Sequence, residues 1–189
     1  MGDDNGFDTI PLAGHVLTWQ GADRLSKCER EAIEAYALGG YERINQALRG
    51  LVPLSPELAR RVDHIRSGLR KYPLTQTIRV TRETEAAVYG VEDENTALAL
   101  ANLRFKEAGF LSTSGARTPP HSTRYVDPLI LDLIVPRGTP AFMLGDLAEF
   151  PEEREVLLVD ATSYFILDVV RDKRRSMWRV RAIVLEGDQ

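Results

Sequence analysis

The sequence predicts an α+β fold. Helical periodicity fills the first third of the chain, short strand-like apolar runs follow Phe110, and the two regimes do not alternate. Helices first and strands second is the order of a fold in which helices cover one side of a sheet rather than wrap it. The 189 residues suffice for one well-cored domain, and 43% hydrophobic with 28% charged residues is an ordinary globular make-up. No linker, repeat or low-complexity stretch divides residues 1–189, of which 1–75 read as mainly helical and 76–189 as mainly β.

Taken in order, Ser26-Lys27-Cys28-Glu29 has the spacing of a capping box and opens a helix that carries Ile33 and Tyr36 and stops at Gly39-Gly40. Tyr41, Ile44, Leu48 and Leu51 recur at helical spacing before Pro53. Ser55-Pro56-Glu57 caps a third helix, whose Leu58, Val62, Ile65 and Leu69 form one stripe ending before Pro73. The period then drops to two. Over Gln76 to Arg82, Ile78, Val80 and Arg82 share a face, so a charge emerges where the apolar face ends. Helical spacing returns at Asn95 to Ala108, with Leu98, Ala101, Phe105 and Ala108 in line and Gly109 as the stop.

Strands are expected at Phe110 to Ser114, Leu129 to Val135, Ala141 to Leu144, Glu155 to Leu158, Tyr164 to Val170 and Met177 to Leu185. The last two form a hairpin across Arg171 to Ser176, and the basic run Arg171 to Arg175 reads as its solvated tip. In the final strand Trp178, Val180, Ala182 and Val184 alternate with Arg179, Arg181 and Ile183, which predicts one buried face and one mostly wet face. Thr118-Pro119-Pro120-His121-Ser122 marks a loop.

Several function classes fall away. A net charge of −4 gives no basic footprint for nucleic acid, and no apolar run reaches membrane-spanning length, since Leu129 to Val135 is broken by Asp132. Met1 to Gly6 is acidic and lacks the basic-then-apolar layout of a signal peptide, so export would use another route, and without export the protein is cytoplasmic. Cys28 has no partner for an intramolecular disulfide and reads as a small buried side chain. His15, His64 and His121 lack metal-ligand spacing, so no metal is expected. No G-x-G-x-x-G follows a strand pattern.

Three polar sites lie on three expected strand edges: Arg82, Ser112-Thr113-Ser114, and the pair Glu153 and Glu155 behind Phe150. An always-charged Arg can hold a phosphate, a hydroxyl can orient a carboxylate, and a strand-fixed carboxylate can stabilise a cationic sugar centre. Together they describe a site for cleaving an N-glycosidic bond in a phosphorylated molecule.

In these motifs the chain resembles the bacterial ADP-ribosyltransferase exoenzymes of the Arg/Ser/Glu class, which include actin-modifying binary toxins and Rho-modifying exoenzymes. The resemblance rests on Ile78-Arg79-Val80-Thr81-Arg82, Phe110-Leu111-Ser112-Thr113-Ser114, and the aromatic-x-x-Glu-x-Glu pattern at Phe150, Glu153 and Glu155. The helical lead-in, with Tyr41 to Gly50 and Leu69 to Leu74, is similar too. The resemblance implies a split two-sheet NAD-binding scaffold behind N-terminal helices, in a monomer. It implies that NAD is consumed as co-substrate, that Arg82 holds its phosphates, that Ser112, with Thr113 and Ser114, lines the NAD site and orients Glu155, and that Glu155 engages the nicotinamide ribose. Glu153 is then the acceptor-side acid and Phe150 part of the acceptor-recognising turn, and Arg117 and Arg124 both qualify as the second NAD-binding Arg. Glu rather than Gln at position 153 resembles the branch that modifies arginine on a protein target, since a carboxylate pairs bidentately with a guanidinium. A toxin or injected effector is the setting this implies. An NAD glycohydrolase and a catalytically silent binding module are the alternatives. Two positions depart from the pattern: Thr81 stands where an aromatic is common and Glu83 where Gly is common. An acid beside a phosphate-binding Arg weakens anion binding unless it points to the opposite face. Arg79 is a rival for the Arg82 role, but the register of Ile78 and Val80 favours Arg82.

Overall fold

The computed structural model describes residues 6–17, 21–148, 150–172 and 175–185. The N-terminal part is built of α1 (Ala13–Val16), α2 (Lys27–Ala35), α3 (Tyr41–Leu48) and α4 (Pro56–Arg70). The capping box at Ser26 closes in both directions, with Ser26 Oγ accepting from the Glu29 N–H at 3.4 Å and Glu29 Oε2 accepting from the Ser26 N–H at 2.7 Å. A π-type turn at Tyr36–Gly40 follows α2, and Gly39 sits there at φ 111°, a conformation that a side chain would strain. Ser55 caps α4 through the Leu58 N–H at 3.2 Å, and Leu58, Val62, Ile65 and Leu69 are all buried.

Cys28 is exposed, contrary to the sequence expectation. The inward face of α2 is Glu29, Ala32 and Ile33, which turns position 28 to solvent. Glu29 tolerates burial because Lys71 Nζ donates to it at 2.5 Å and Ser67 Oγ at 2.7 Å. Against desolvation by burial, these donors and Ser26 hold its carboxyl at a pKa of about 2.

The sheet has eight strands: β1 (Ile78–Glu85), β2 (Arg104–Glu107), β3 (Leu111–Ser114), β4 (Pro128–Val135), β5 (Ala141–Met143), β6 (Glu155–Leu158), β7 (Thr162–Asp172) and β8 (Met177–Val184). Their order is β2-β7-β8-β4-β1-β3-β6-β5, antiparallel except where β4 runs parallel to β8. Every residue of β1 pairs with β4, but β1 and β3 share one register pair, Thr81 with Ser114. That seam splits the sheet into a larger half ending at β1 and a smaller half β3-β6-β5.

Two cores follow from the split. One joins the halves and includes Ile78, Val80, Leu131, Leu133, Leu111, Val156 and Leu158. The other lies between the helices and the smaller half and includes Ile33, Tyr36, Ile65, Leu69, Phe110, Phe142 and Leu157. Strand alternation explains how β6 serves both, with Val156 and Leu158 on one face and Leu157 on the other. Each such fully buried side chain contributes about 1.5–3 kcal/mol.

Residues 95–108 are not one helix. A short helix, α5 (Glu94–Leu98), ends early, Asn102 takes a left-handed φ of 68°, and Arg104–Glu107 becomes the edge strand β2. Phe105 stacks with Tyr164 of β7 at 6.1 Å and lies 5.0 Å from Tyr89, so long-range packing overrides the local helical spacing. The face of β8 expected to be wet also carries a buried charge. Arg179 pairs with Asp132 at 2.5 Å and with Asp172 at 2.7 Å, while Arg79 pairs with the same Asp132 at 3.3 Å and with Asp8 at 2.7 Å. The Phe7 ring closes this face, within 5.2 Å of the Arg79 guanidinium and 5.3 Å of that of Arg181.

Candidate active site

A cleft of about 760 Å³ opens over the seam between the two halves of the sheet. Its floor is built by strand alternation. Ser112 and Ser114 of β3 lie on the same face as Glu155 at the start of β6, because Ser114 is opposite Glu155 and Ser112 opposite Leu157 in the antiparallel register. Ser112 and Glu155 are therefore diagonal neighbours, within reach of each other's side chains. Ser112 Oγ donates to Glu155 Oε1 at 2.5 Å. Arg82 comes in from β1 across the seam and donates from Nη1 to the Ser112 carbonyl at 2.9 Å.

Burial pushes the Glu155 carboxyl up from its ordinary value, and the neighbouring Glu153 charge adds to the rise; the Ser112 hydrogen bond and the Arg82 charge oppose it. A carboxylate raised in this way is poorly solvated and ready to stabilise a positive charge placed against it.

The acidic turn owes its shape to local chemistry. Pro151–Glu153 form one tight turn closed by the Glu153 N–H to the Phe150 carbonyl at 3.1 Å, and Arg154 then takes a left-handed φ of 51° before the strand begins. Glu153 is thus on a turn and Glu155 in a ladder, two identical acids in different settings. Ser114 Oγ donates to the Glu153 carbonyl at 2.8 Å, and Thr113 Oγ1 to the Val156 carbonyl at 2.7 Å, so both hydroxyls brace the turn-to-strand junction. Phe150 is 50% exposed at the cleft edge.

Close approach of two glycines fixes the turn from behind. The Gly14 N–H in α1 donates to the Gly115 carbonyl at 3.0 Å, and the Gly115 N–H donates to the Arg154 carbonyl at 2.9 Å. A Cβ on Gly14 would lie 2.8 Å from the Gly115 oxygen and 2.9 Å from Arg154 Cδ, and one on Gly115 would lie 2.5 Å from the Gly14 nitrogen.

The remaining sequence candidates separate. Arg124 lines the cleft and reaches Glu42 at 3.4 Å, whereas Arg117 pairs with Asp8 at 3.5 Å and is not among the cleft-lining residues. Arg79 is buried in its ion pairs, away from the cleft. The structure also adds residues that sequence reasoning missed. Asn45 Nδ2 donates to the Tyr36 hydroxyl at 3.0 Å and to the Phe110 carbonyl at 3.2 Å, and Asn45 and Tyr36 line the cleft wall. Burial pushes the Tyr36 hydroxyl well above its ordinary pKa, so it stays protonated. Glu83 and His121 line the cleft as well. The basic tip is only partly described, since Lys173 and Arg174 lie outside the described residues. Its Arg175 is not a solvated charge, because Nη1 donates to Glu83 at 2.6 Å.

Arg, Ser and Glu from β1, β3 and β6 thus meet on one cleft floor, and the ADP-ribosyltransferase exoenzyme family matches the chain over residues 15–186, a span that contains all three. The chain belongs to this family. Its fold is shared with Plx2a, an ADP-ribosyltransferase toxin from Paenibacillus larvae, at a TM-score of 0.75 and 23% identity over 87% of this chain and 89% of that one. It is shared equally with C3stau2 from S. aureus, in a crystal structure with NAD, at a TM-score of 0.76 and 18% identity over 99% and 98% of the two chains. The Clostridium limosum C3 exoenzyme superposes at 0.71 and 22% identity over 86% and 87%. No curated protein sequence matches at a significant level. The helices and the eight-stranded mixed sheet are therefore the fold of the ADP-ribosylating toxins. Among its described residues no group of His, Cys, Asp and Glu has the arrangement of a metal site, and no helix is long and apolar enough to cross a membrane.

Proposed function

We propose that this exoenzyme consumes NAD and transfers its ADP-ribose to an arginine of a protein target, as a secreted or injected toxin acting on another cell. The observation that carries the reading is the Ser112 to Glu155 hydrogen bond on the cleft floor beside Arg82. A volume of about 760 Å³ suits a dinucleotide, and its lining includes the guanidinium and carboxylate groups whose chemistry matches a diphosphate and a developing cation. NAD supplies a glycosidic bond whose cleavage puts positive charge on the ribose. Arg82 holds the phosphates, with Arg124 rather than Arg117 as the second guanidinium, because only Arg124 lines the cleft. Glu155 stabilises the charge on the ribose, and Ser112 keeps its carboxylate aimed there. Glu153 receives the acceptor guanidinium in a bidentate pair and helps remove its proton, while the exposed ring of Phe150 meets the target surface.

Incubation with labelled NAD and a whole-cell lysate, followed by mass spectrometry of labelled proteins, tests this directly. ADP-ribose on arginine side chains is the expected result. Brisk release of nicotinamide without any labelled protein would make the chain a glycohydrolase instead.

A further inference from the structure

The two carboxylates that follow Arg82 on β1 both face the loop between β3 and β4. Glu83 is on the opposite face of the strand from Arg82, and its side chain is 2% exposed. It accepts from the Ser122 N–H at 2.8 Å, from His121 Nδ1 at 2.9 Å, and from Arg175 Nη1 at 2.6 Å. Glu85, two residues along on the same face, accepts from the N–H groups of Val126 and Asp127 at 2.9 and 2.8 Å. Arg124 lies between these two attachment points. A carboxylate accepts from Nδ1 only when that nitrogen carries the proton, so Glu83 also sets the tautomer of an imidazole that lines the cleft.

We infer that Glu83 is a positioning residue of the nucleotide site: with Glu85 it fastens the loop 121–127, whose residues 121–125 line the cleft, to β1 on both sides of Arg124, and Arg175 locks it from the β7–β8 hairpin. The inference rests on the proposed NAD reading of the cleft. It resolves the conflict posed by an acid next to an anion-holding Arg. The Glu83 charge is spent on three donors of the protein, so it does not compete with a phosphate for Arg82. It also gives the hairpin tip a task. Residues 118–122 contain two adjacent prolines and belong to no helix or strand, so their shape depends on such anchors.

The test uses the full chain, with NAD binding followed by calorimetry and turnover by nicotinamide release. Losing a charge-assisted anchor should loosen the wall, so Glu83→Gln and Arg175→Ala should each raise KM for NAD by about 5- to 30-fold while kcat changes by less than about three-fold. The double variant should be no worse than Glu83→Gln alone, since Arg175→Ala removes one of the three contacts that Glu83→Gln already weakens, and Arg175→Lys should recover most of the affinity. Arg171→Ala, whose side chain stacks on Trp178, should leave KM unchanged. If Glu83→Gln does not fold, Arg175→Ala, which removes a side chain that is partly exposed, carries the test. Ordinary NAD affinity in both variants, or a fall in kcat in place of the rise in KM, overturns the anchor and leaves the cleft reading standing. No NAD binding by the unaltered chain overturns both.

Discussion

Ser112 and Glu155 meet diagonally across the β3–β6 ladder, with the hydroxyl donating to the carboxylate at 2.5 Å. The contact needs no loop to form it, because two short strands in fixed register place both side chains on one face. It holds a carboxylate that burial has already made reluctant to ionise.

That relationship predicts a pH effect. The Glu155 carboxyl stands above its ordinary value through burial and the Glu153 charge, and the Ser112 donor is one of the two groups that lower it. Removing the donor in Ser112→Ala lets the value rise further. The acid limb of the pH profile for nicotinamide release should therefore move to higher pH, with turnover regained once Glu155 is ionised. An acid limb that stays in place or moves to lower pH would contradict the role given to Ser112.

Glu155→Gln should lower turnover by about 100- to 1,000-fold while leaving NAD affinity nearly unchanged, since the lost charge acts mainly in the transition state. The same substitution should stabilise the fold at neutral pH. A carboxyl whose folded pKa is raised favours the folded state only while it is protonated, and above its folded pKa the buried charge is a cost that Gln removes. The gain in melting temperature should be largest above the raised value and close as pH falls through the ordinary glutamate range.

Arg82→Lys keeps the charge and loses the planar fork, so NAD binding should weaken by about 10-fold or more in calorimetry with the melting temperature little changed. Arg79→Lys should do the reverse. Arg79 is 2% exposed and shares Asp132 with Arg179, so its replacement should lower stability in denaturant unfolding and leave NAD affinity alone.

Glu153 lies on the turn outside the ladder, where its replacement leaves the Ser112 to Glu155 contact in place. Glu153→Gln should abolish arginine labelling and spare much of the slow NAD hydrolysis that water supports, whereas Glu155→Gln should lose both. Parallel assays of labelled target and released nicotinamide separate the two outcomes, and equal loss of both in Glu153→Gln would remove the division of roles.

Elements set by local chemistry were legible in the sequence. The Ser26 and Ser55 caps, the α4 stripe and strands such as β4 and β6 follow from capping residues and period alone, and strand register separates Arg82, which lines the cleft, from the buried Arg79. What failed was decided by distant partners. Nothing within residues 95–108 announces that Phe105 will stack on Tyr89 and Tyr164. Arg179 reads as a solvent-facing residue until Asp132 and Asp172 arrive from other strands. Tyr36 and Asn45 flank the break at Gly39, so no single helical period links them. For Glu83 a signal was present, as a departure from the family pattern beside Arg82, but its partners His121 and Arg175 were not visible from spacing.

The contact between Gly14 and Gly115 makes the acidic turn a poor candidate for transplantation. Its shape is written jointly by a tetrapeptide helix near the start of the chain and by the strand end it leans on, so a graft of Phe150 to Glu155 onto another scaffold would carry the acids without their mould. Drift at either glycine is constrained by the other: a methyl group on one demands retreat of the other's backbone, and the turn between Glu153 and Glu155 would shift with it.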